Sequence, residues 1–399
     1  MRVRVEAIAL EEEPTSLKEF RNALDIAAQN ADDVDRRCRF PSEATDALRA
    51  AGALAWGVPR MYGGAGAGIT ELSEATLELS RRCASAGMVF AMHQIQVACI
   101  VRHHGDSDWF ADYLRCLART QRLIASATSE AGVGGDIRRS VAALHSAENL
   151  SDGWFAFEKN APTVSYGAEA DDFLTTLRRS ADADPGDQLL VLSHAADTEL
   201  KQTSEWDTLG MRGTRSPGFV VRARCLADQV LPVPFATIAA ESMVPYSHIL
   251  WSHVWLGIAT DAFTRAQRFV RDQARANPGT TPPSALRLSE VSTRMAQFRA
   301  LVEAALTEYT AGSGRESRSR FSTVGYAVRI NNLKIAASEA ALEICQAALR
   351  VCGVLGYRNC GPYSVSRHLR DAQSAVLMIS NDRLQATNAA LLLVHREGK

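Results

Sequence analysis

The chain has 399 residues, of which 46% are hydrophobic and 22% charged, with a formal net charge of −1. That length exceeds one small core and suits two or three domains or one large composite fold. The composition is that of an ordinary globular protein, and the near-zero charge excludes a basic field for nucleic acid.

The opening MRVRVEAIALEEEPTS has no apolar secretory core and carries three consecutive Glu. No apolar run is expected to span a bilayer, so a soluble cytoplasmic protein is expected. The eight cysteines form no CxxC pair and follow no metal-ligand rhythm. Buried free thiols are expected, and no metal site. No HExxH, P-loop or GxSxG stands out.

Residues 16 to about 120 read as helices. FPSEATDALRAAGALAWGVP places Phe40, Ala44, Leu48 and Ala51 near helical spacing. Gly52 suits a left-handed cap. RMYGGAGAGIT is a glycine-rich turn. The run from ITELSEATLELSRR to IVRHHG reads as two helices broken near Ser85–Gly87. Between residues 122 and 232 the runs turn short and β-rich: RLIASATSEAGVGGDI, GWFAFEKNAPTVS, DDFLTTLRR, DQLLVLSH and GFVVRARCLADQVLP. Helices return after Pro234. Trp251, Trp255, Ile258, Ala262, Ala266 and Val270 share one stripe. ANPGTTPP breaks the pattern, and a helix is expected over 284–311. Ile330, Leu333, Ala337, Ala341, Ile344 and Ala348 stripe the next, over 321–352. A final helix is expected over 374–394.

The fold class is therefore mostly α with an inserted antiparallel β domain. It comprises an N-terminal helical domain (1–121), a middle β-barrel or sheet domain (122–233) and a C-terminal four-helix bundle (234–399). The absence of a βαβ rhythm excludes a Rossmann domain.

Five segments, in order, resemble the acyl-CoA dehydrogenase superfamily over almost the whole chain. FPSEATDALRAAGALAWGVPRMYGGAG is similar to its N-terminal P-x-x-Y-G-G-x-G region. SATSEAGVGGD is similar to its T-E-P-G-A-G-S-D flavin motif, and EKNAPTVSYGAEAD to K-x-W-I-T-N-G. WDTLGMRGTRSPGFVV resembles L-G-x-R-x-S. CGVLGY with YSVSRHLRDA resembles G-G-x-G-[FY] and R-D-A. The resemblance implies FAD between the β domain and the bundle, in a homodimer or homotetramer whose second subunit completes the site. It implies an acyl thioester substrate on CoA or an acyl-carrier protein, and an electron-transfer partner. In that chemistry a base takes the α-proton and hydride leaves to the flavin.

Carried over residue by residue, the flavin motif puts Ser129 at the ring's pyrimidine end, with Ser126 and Thr128 just before it. Gly135 replaces a phosphate-binding Ser. Thr163 falls on the Thr that donates toward flavin N5, and Ala161 replaces the Trp that shields the ring, leaving room at its face. The pyrophosphate clamp R-x-x-F-G reads RDQARANPG, where Gln273 or Arg275 would stand in for it. Arg350 occupies the place of a dinucleotide-binding Gln, and Val354 that of a turn Gly. Asn381 and Arg383 match residues that touch the adenosine half of FAD. A polar helix cap is the alternative for both.

The family's catalytic Glu falls on Ile379, and its other location, near Ser247, is also not a carboxylate. His93 and His248 are the candidate replacement bases, since imidazole suits proton transfer near neutral pH. The alternative for each is a ring satisfied by a backbone carbonyl. Glu241 and Asp382 are nearby carboxylates, read as a helix start and an ion-pair partner. His103, His104 and Asp106 read as a surface turn. The reading taken is an FAD-dependent acyl-thioester dehydrogenase with a relocated base. The alternatives are a flavin monooxygenase of the same fold and an inactive subunit in a hetero-oligomer with an active homologous chain.

Overall fold

The apolar stripes become buried helix faces, and their packing sets the architecture. The structure, a computed structural model, describes residues 15–146, 153–312 and 314–394. The first 14 residues, and with them the leader reading, lie outside the described residues.

Five helices come first: α1 (Thr15–Arg37), α2 (Ser42–Ala50), α3 (Ile69–Arg82), α4 (Ala84–His103) and α5 (Asp108–Thr120). Gly52 takes φ 67°, the left-handed conformation expected beyond α2. The break between α3 and α4 lies at Cys83, in extended backbone, earlier than the Ser85–Gly87 expected. One expectation is corrected here. By length and composition α4 is apolar enough to cross a membrane, yet nearly all of it is buried inside the protein. It is a core helix, packed on α3 and on the bundle.

The strands are β1 (Ile124–Ala127), β2 (His145–Ser146), β3 (Trp154–Ala161), β4 (Asp172–Arg178), β5 (Gln188–His194), β6 (Thr198–Gln202) and β7 (Phe219–Leu226). They form two sheets, ordered β1-β4-β5 and β2-β3-β7-β6, and neither closes into a barrel among the described residues. The second sheet is antiparallel, with β3 and β7 paired from Trp154↔Leu226 to Ala161↔Phe219. The first is mixed: β1 runs parallel to β4, with Ile124 opposite Asp172. The purely antiparallel domain expected from the sequence is corrected to that extent. A four-residue strand carries no signal of its partner's direction.

The C-terminal part holds α6 (Phe235–Ile238), a π turn (Ala239–Met243), α7 (Val244–Ala276), α8 (Ser284–Gly312), α9 (Val324–Cys352), α10 (Val354–Tyr357), α11 (Ser366–Leu377) and α12 (Asn381–Leu392). Both predicted stripes, on α7 and α9, are buried. α7 packs against α3, α4, α8 and α9, so it joins the bundle to the N-terminal helices. The single final helix expected over 374–394 is two helices. They part at Met378–Ser380, where Ile379 (φ 55°) and Ser380 (φ 40°) are left-handed. A β-branched residue seldom adopts that conformation, which is why helical spacing gave no warning of the break. All eight cysteines are free; five are buried and Cys360 is exposed.

Candidate active site

The segment 126–137, the turn after β3, residues 206–216, α4, the start of α7 and the α11–α12 break enclose a cavity of about 710 Å³. That lies within the roughly 300–1,000 Å³ of small-molecule and cofactor sites. A groove of about 960 Å³ crosses the outer faces of β3 and β7. Its wall carries surface ion pairs such as Arg222–Glu158, and it meets the cavity only at Glu130.

Ser126, Thr128, Ser129 and Thr163 all line the cavity. Ser129 Oγ donates to the Thr163 carbonyl at 2.6 Å and accepts from the Thr163 N–H at 3.3 Å. One hydroxyl thus joins the two segments that resemble flavin-binding motifs. Behind them Glu130 accepts from Ala142 N–H (2.6 Å), Val141 N–H (3.0 Å) and the Ser140 hydroxyl (2.7 Å). The buried Lys159 ammonium lies 3.4 Å away and donates to Thr176 O and Oγ1. The glycine-rich loop is therefore closed at its feet by one carboxylate.

The opposite wall comes from residues 206–216. Gly210 packs on α11 so closely that a Cβ would meet the Arg370 carbonyl at 2.0 Å. Met211 N–H donates to Asp371 Oδ1 at 2.7 Å. The remaining wall is apolar, with Met88, Met92, Ile95, Met243, Trp251 and Met378. Two polar atoms in it are buried with no hydrogen-bond partner among the described residues: Gln96 Oε1 and Trp251 Nε1. An acceptor and a donor left open in an apolar wall call for a ligand or water carrying the complementary groups. With the hydroxyls opposite, this donor set fits the edge of a flavin or a neutral substrate beside it.

Ile379 and Ser247, on which the resemblance places the usual base, both line this cavity and carry no carboxylate. The carboxylates that do line it, among the described residues, are Glu130 and Asp136. Glu130 is consumed as described. Asp136 accepts from Arg138 Nε at 2.9 Å and Nη2 at 3.0 Å.

Of the two candidate bases, the structure brings only His248 to the cavity. His93 is corrected: it is fully buried behind the wall, Nε2 donates to the Leu54 carbonyl at 2.7 Å, and Nδ1 accepts from Ile124 N–H at 3.1 Å. Both nitrogens are occupied, so it is a structural histidine joining α4 to β1. His248 differs. Its Nδ1 lies 3.0 Å from the Ile330 carbonyl, which can only accept, so Nδ1 carries the proton. Nε2 keeps its lone pair and has no hydrogen bond among the described residues. Burial pushes this imidazole down to about 4, and the nearby Lys334 and Arg383 charges push the same way.

Three further residues stand apart from this chain's own cavity. Arg350 is exposed at the end of α9, outside the cavity lining. Asn381 does not line it either; its Oδ1 accepts from Lys334 Nζ at 2.7 Å. Ala161 is fully buried at the end of β3 and does not line the cavity, so its small side chain opens no space there. Arg383 does line it. Lys334, missed in the sequence, is fully buried and also donates to the Ala375 carbonyl at 3.0 Å. It therefore holds both sides of the α11–α12 break. His103 Nε2 meets Ser242 Oγ at 2.8 Å, and His104 packs edge-on against Tyr62.

These histidines make stability depend on pH. His93, His248 and His253 are all buried, and burial pushes each down to about 4. The unfolded chain takes up these protons near pH 6.5, the folded chain only near pH 4. Their stability contribution is present above about 6.5 and is lost as pH falls toward 4. Asp371, raised by burial to about 6, works the other way over the same range. Three groups outweigh one. A loss on the order of 2 kcal/mol per histidine is expected by pH 5, read as a falling urea midpoint. An unchanged midpoint between pH 7 and pH 5 would contradict it.

Comparison with known proteins fits this geometry. Models described as the acyl-CoA dehydrogenase N-terminal and C-terminal domains match residues 11–121 and 239–378. The chain belongs to the acyl-CoA dehydrogenase family, a family of flavin oxidoreductases. It is 26% identical over 338 residues to a probable FMNH2-dependent monooxygenase, SfnC, of Pseudomonas putida, covering 82% of each chain. It is 25% identical over 366 residues to a probable acyl-CoA dehydrogenase, fadE25, of Mycobacterium leprae, covering 90% of this chain and 89% of that one. The FMN-bound structure of TdsC from Paenibacillus sp. A11-2 superposes with a TM-score of 0.80 at 21% identity, covering 96% of this chain and 98% of that one.

Proposed function

We propose that this chain is a flavin-dependent monooxygenase that oxygenates a small, uncharged, largely apolar substrate. The observation that carries this reading is the state of the cavity's acids and bases. Dehydrogenation of a thioester needs a base placed at the α-carbon, and the resemblance assigns that place to a carboxylate. Ile379 and Ser247 stand at those places, and Glu130 and Asp136 are already bonded. What faces the cavity is a neutral imidazole. A reduced flavin bound here would supply the electrons that activate dioxygen. The protein's own part is to bind, exclude water and handle protons. Ser126, Thr128 and Thr163 offer hydroxyls to the ring edge. The methionine and tryptophan wall keeps water out and holds apolar matter. Gln96 Oε1 and Trp251 Nε1 orient a substrate that has one donor and one acceptor. His248 Nε2 accepts a proton, or a hydrogen bond, from the group that becomes charged.

A second reading keeps acyl-thioester dehydrogenation with FAD, supported by the likeness to fadE25. One experiment separates the two. The protein is loaded with flavin, and acyl-CoA is added without oxygen. The monooxygenase reading expects no bleaching. It expects protein-dependent oxygen uptake from reduced flavin, and labelled oxygen incorporated into an apolar acceptor. Rapid bleaching by acyl-CoA would sink it in favour of the dehydrogenase. A protein that retains no flavin would sink both, leaving a non-catalytic subunit.

A further inference from the structure

The sequence has eight methionines. Five of them, Met88, Met92, Met211, Met243 and Met378, line the cavity. They arrive from four places along the chain: α4, the 206–216 segment, the π turn and the α11–α12 break. Met88 and Met92 stand one turn apart, so both fall on the same face of α4. The other two described methionines lie elsewhere. Met61 is 76% exposed, Met295 is buried on α8, and neither lines the cavity. The rest of the core is built mostly from Leu, Ile, Val, Ala and Phe. A wall that needed only apolar surface could use those residues, yet this one is rich in thioethers. No cysteine lines it, so methionine supplies its oxidisable sulfur. Met92 and Met378 are half-buried, whereas Met88, Met211 and Met243 are buried.

We propose that Met92 and Met378 are modification sites, oxidised to sulfoxides by hydrogen peroxide released inside the cavity, and that the change closes the wall to apolar substrates. This rests on the monooxygenase reading above. When no acceptor is bound, dioxygen takes two electrons and two protons from reduced flavin and leaves as hydrogen peroxide. A thioether lone pair then attacks one peroxide oxygen. The O–O bond breaks, a sulfur–oxygen bond forms, and the second oxygen departs as water with both protons. Sulfur is oxidised by two electrons and the peroxide is reduced by two. The half-buried pair meets this peroxide before it reaches solvent. Each sulfoxide is polar where the thioether was apolar. A polar group in an apolar wall is unfavourable unless it finds a donor, and it replaces surface that held the substrate. Turnover without substrate thus lowers the cavity's own affinity for apolar matter, and sulfoxide reduction restores it.

The test supplies the full chain with reduced FMN, and in a second run with reduced FAD, under air, with catalase in solution and no acceptor. Peptide mass spectrometry then locates added oxygen. Catalase removes peroxide that reaches the solvent, so Met61 reports the bulk while Met92 and Met378 report the cavity. Sulfoxide is expected at Met92 and Met378 before Met61, with Met295 unchanged. The uncharged fluorescent probe N-phenyl-1-naphthylamine is titrated before and after the treatment, with flavin removed. Its affinity is expected to fall about tenfold, the scale of one uncompensated polar group in an apolar wall. The double variant Met92→Leu, Met378→Leu keeps similar volume without the sulfurs, and should hold its own starting affinity through the same treatment. The inference is overturned if Met61 gains oxygen as early as the cavity pair, if oxidised protein keeps its probe affinity, or if the double variant loses affinity as fast as the natural protein. Protein-dependent oxygen uptake with both cavity methionines spared would overturn this inference alone. No such uptake would overturn the monooxygenase reading as well.

Discussion

Replacing His248 by Asn is expected to slow oxygen-dependent turnover about 10²–10⁴-fold, the usual worth of a positioned proton-transfer group. Flavin binding should be nearly unchanged. The asparagine amide occupies the place of Nδ1 and can still donate to the Ile330 carbonyl, so the contact between α7 and α9 survives. What disappears is the Nε2 lone pair facing the cavity. Because burial pushes His248 down to about 4, its imidazole stays neutral across the ordinary working range. The lone pair is lost only as pH falls through about 4, so no rate limb from this group is expected near neutrality. Oxygen uptake and a parallel flavin titration check both halves. A His248→Asn protein that binds flavin and turns over at the natural rate would remove His248 from the mechanism.

The largest effect on stability is expected at Asp172. This carboxylate opens β4 and is fully buried. Oδ2 accepts from the Tyr113 hydroxyl at 2.7 Å and Arg122 Nε at 2.5 Å. Oδ1 accepts from Arg122 Nη2 at 2.6 Å and lies 2.7 Å from His194 Nδ1. Trp109 stacks on Tyr113 and closes the group off. Burial alone would raise this carboxyl, but the bonds from Arg122, His194 and Tyr113 outweigh it and hold it below the usual range. Asp172→Ala strands the Arg122 guanidinium and the Tyr113 hydroxyl together. The expected cost is about 3–5 kcal/mol, as for breaking a buried pair from one side. Urea unfolding measures it, and a loss below about 1 kcal/mol, typical of exposed pairs, would contradict the burial argument. The natural pair's contribution is present above the unfolded carboxyl's value near 4 and is lost as pH falls through the lower folded value. Asp172 also stands beside Ile124 on β1, the strand that leads into Ser126 and Thr128. Flavin affinity should therefore weaken with it.

The long elements were legible because periodicity survives in a single sequence. The stripes Trp251 to Val270 and Ile330 to Ala348 are buried where their spacing put them. The hydroxyls of Ser126, Thr128, Ser129 and Thr163 also came together on one cavity, because short motifs keep their order along the chain. Four features escaped, each with a physical reason. The parallel pairing of β1 with β4 depends on a partner some fifty residues away. His93 looks like a base in sequence, and only its two backbone contacts show that it is not free. Lys159 could have been found, since the alternation of Phe157, Lys159 and Ala161 puts it on the inner face of β3. A lysine there requires a buried counter-charge, and Glu130 is that partner. Lys334 gave a weaker sign, a cation one position after Leu333 on a buried stripe.

Lys334 holds the α11–α12 break from behind, through a carbonyl on one side and an amide on the other. Both helix ends are thus tied without using the side chain displayed at position 379. A substitution at that position therefore leaves the two Lys334 bonds beneath it in place. In such a design the scaffold is held by one lysine, and the displayed side chain is left to the cavity.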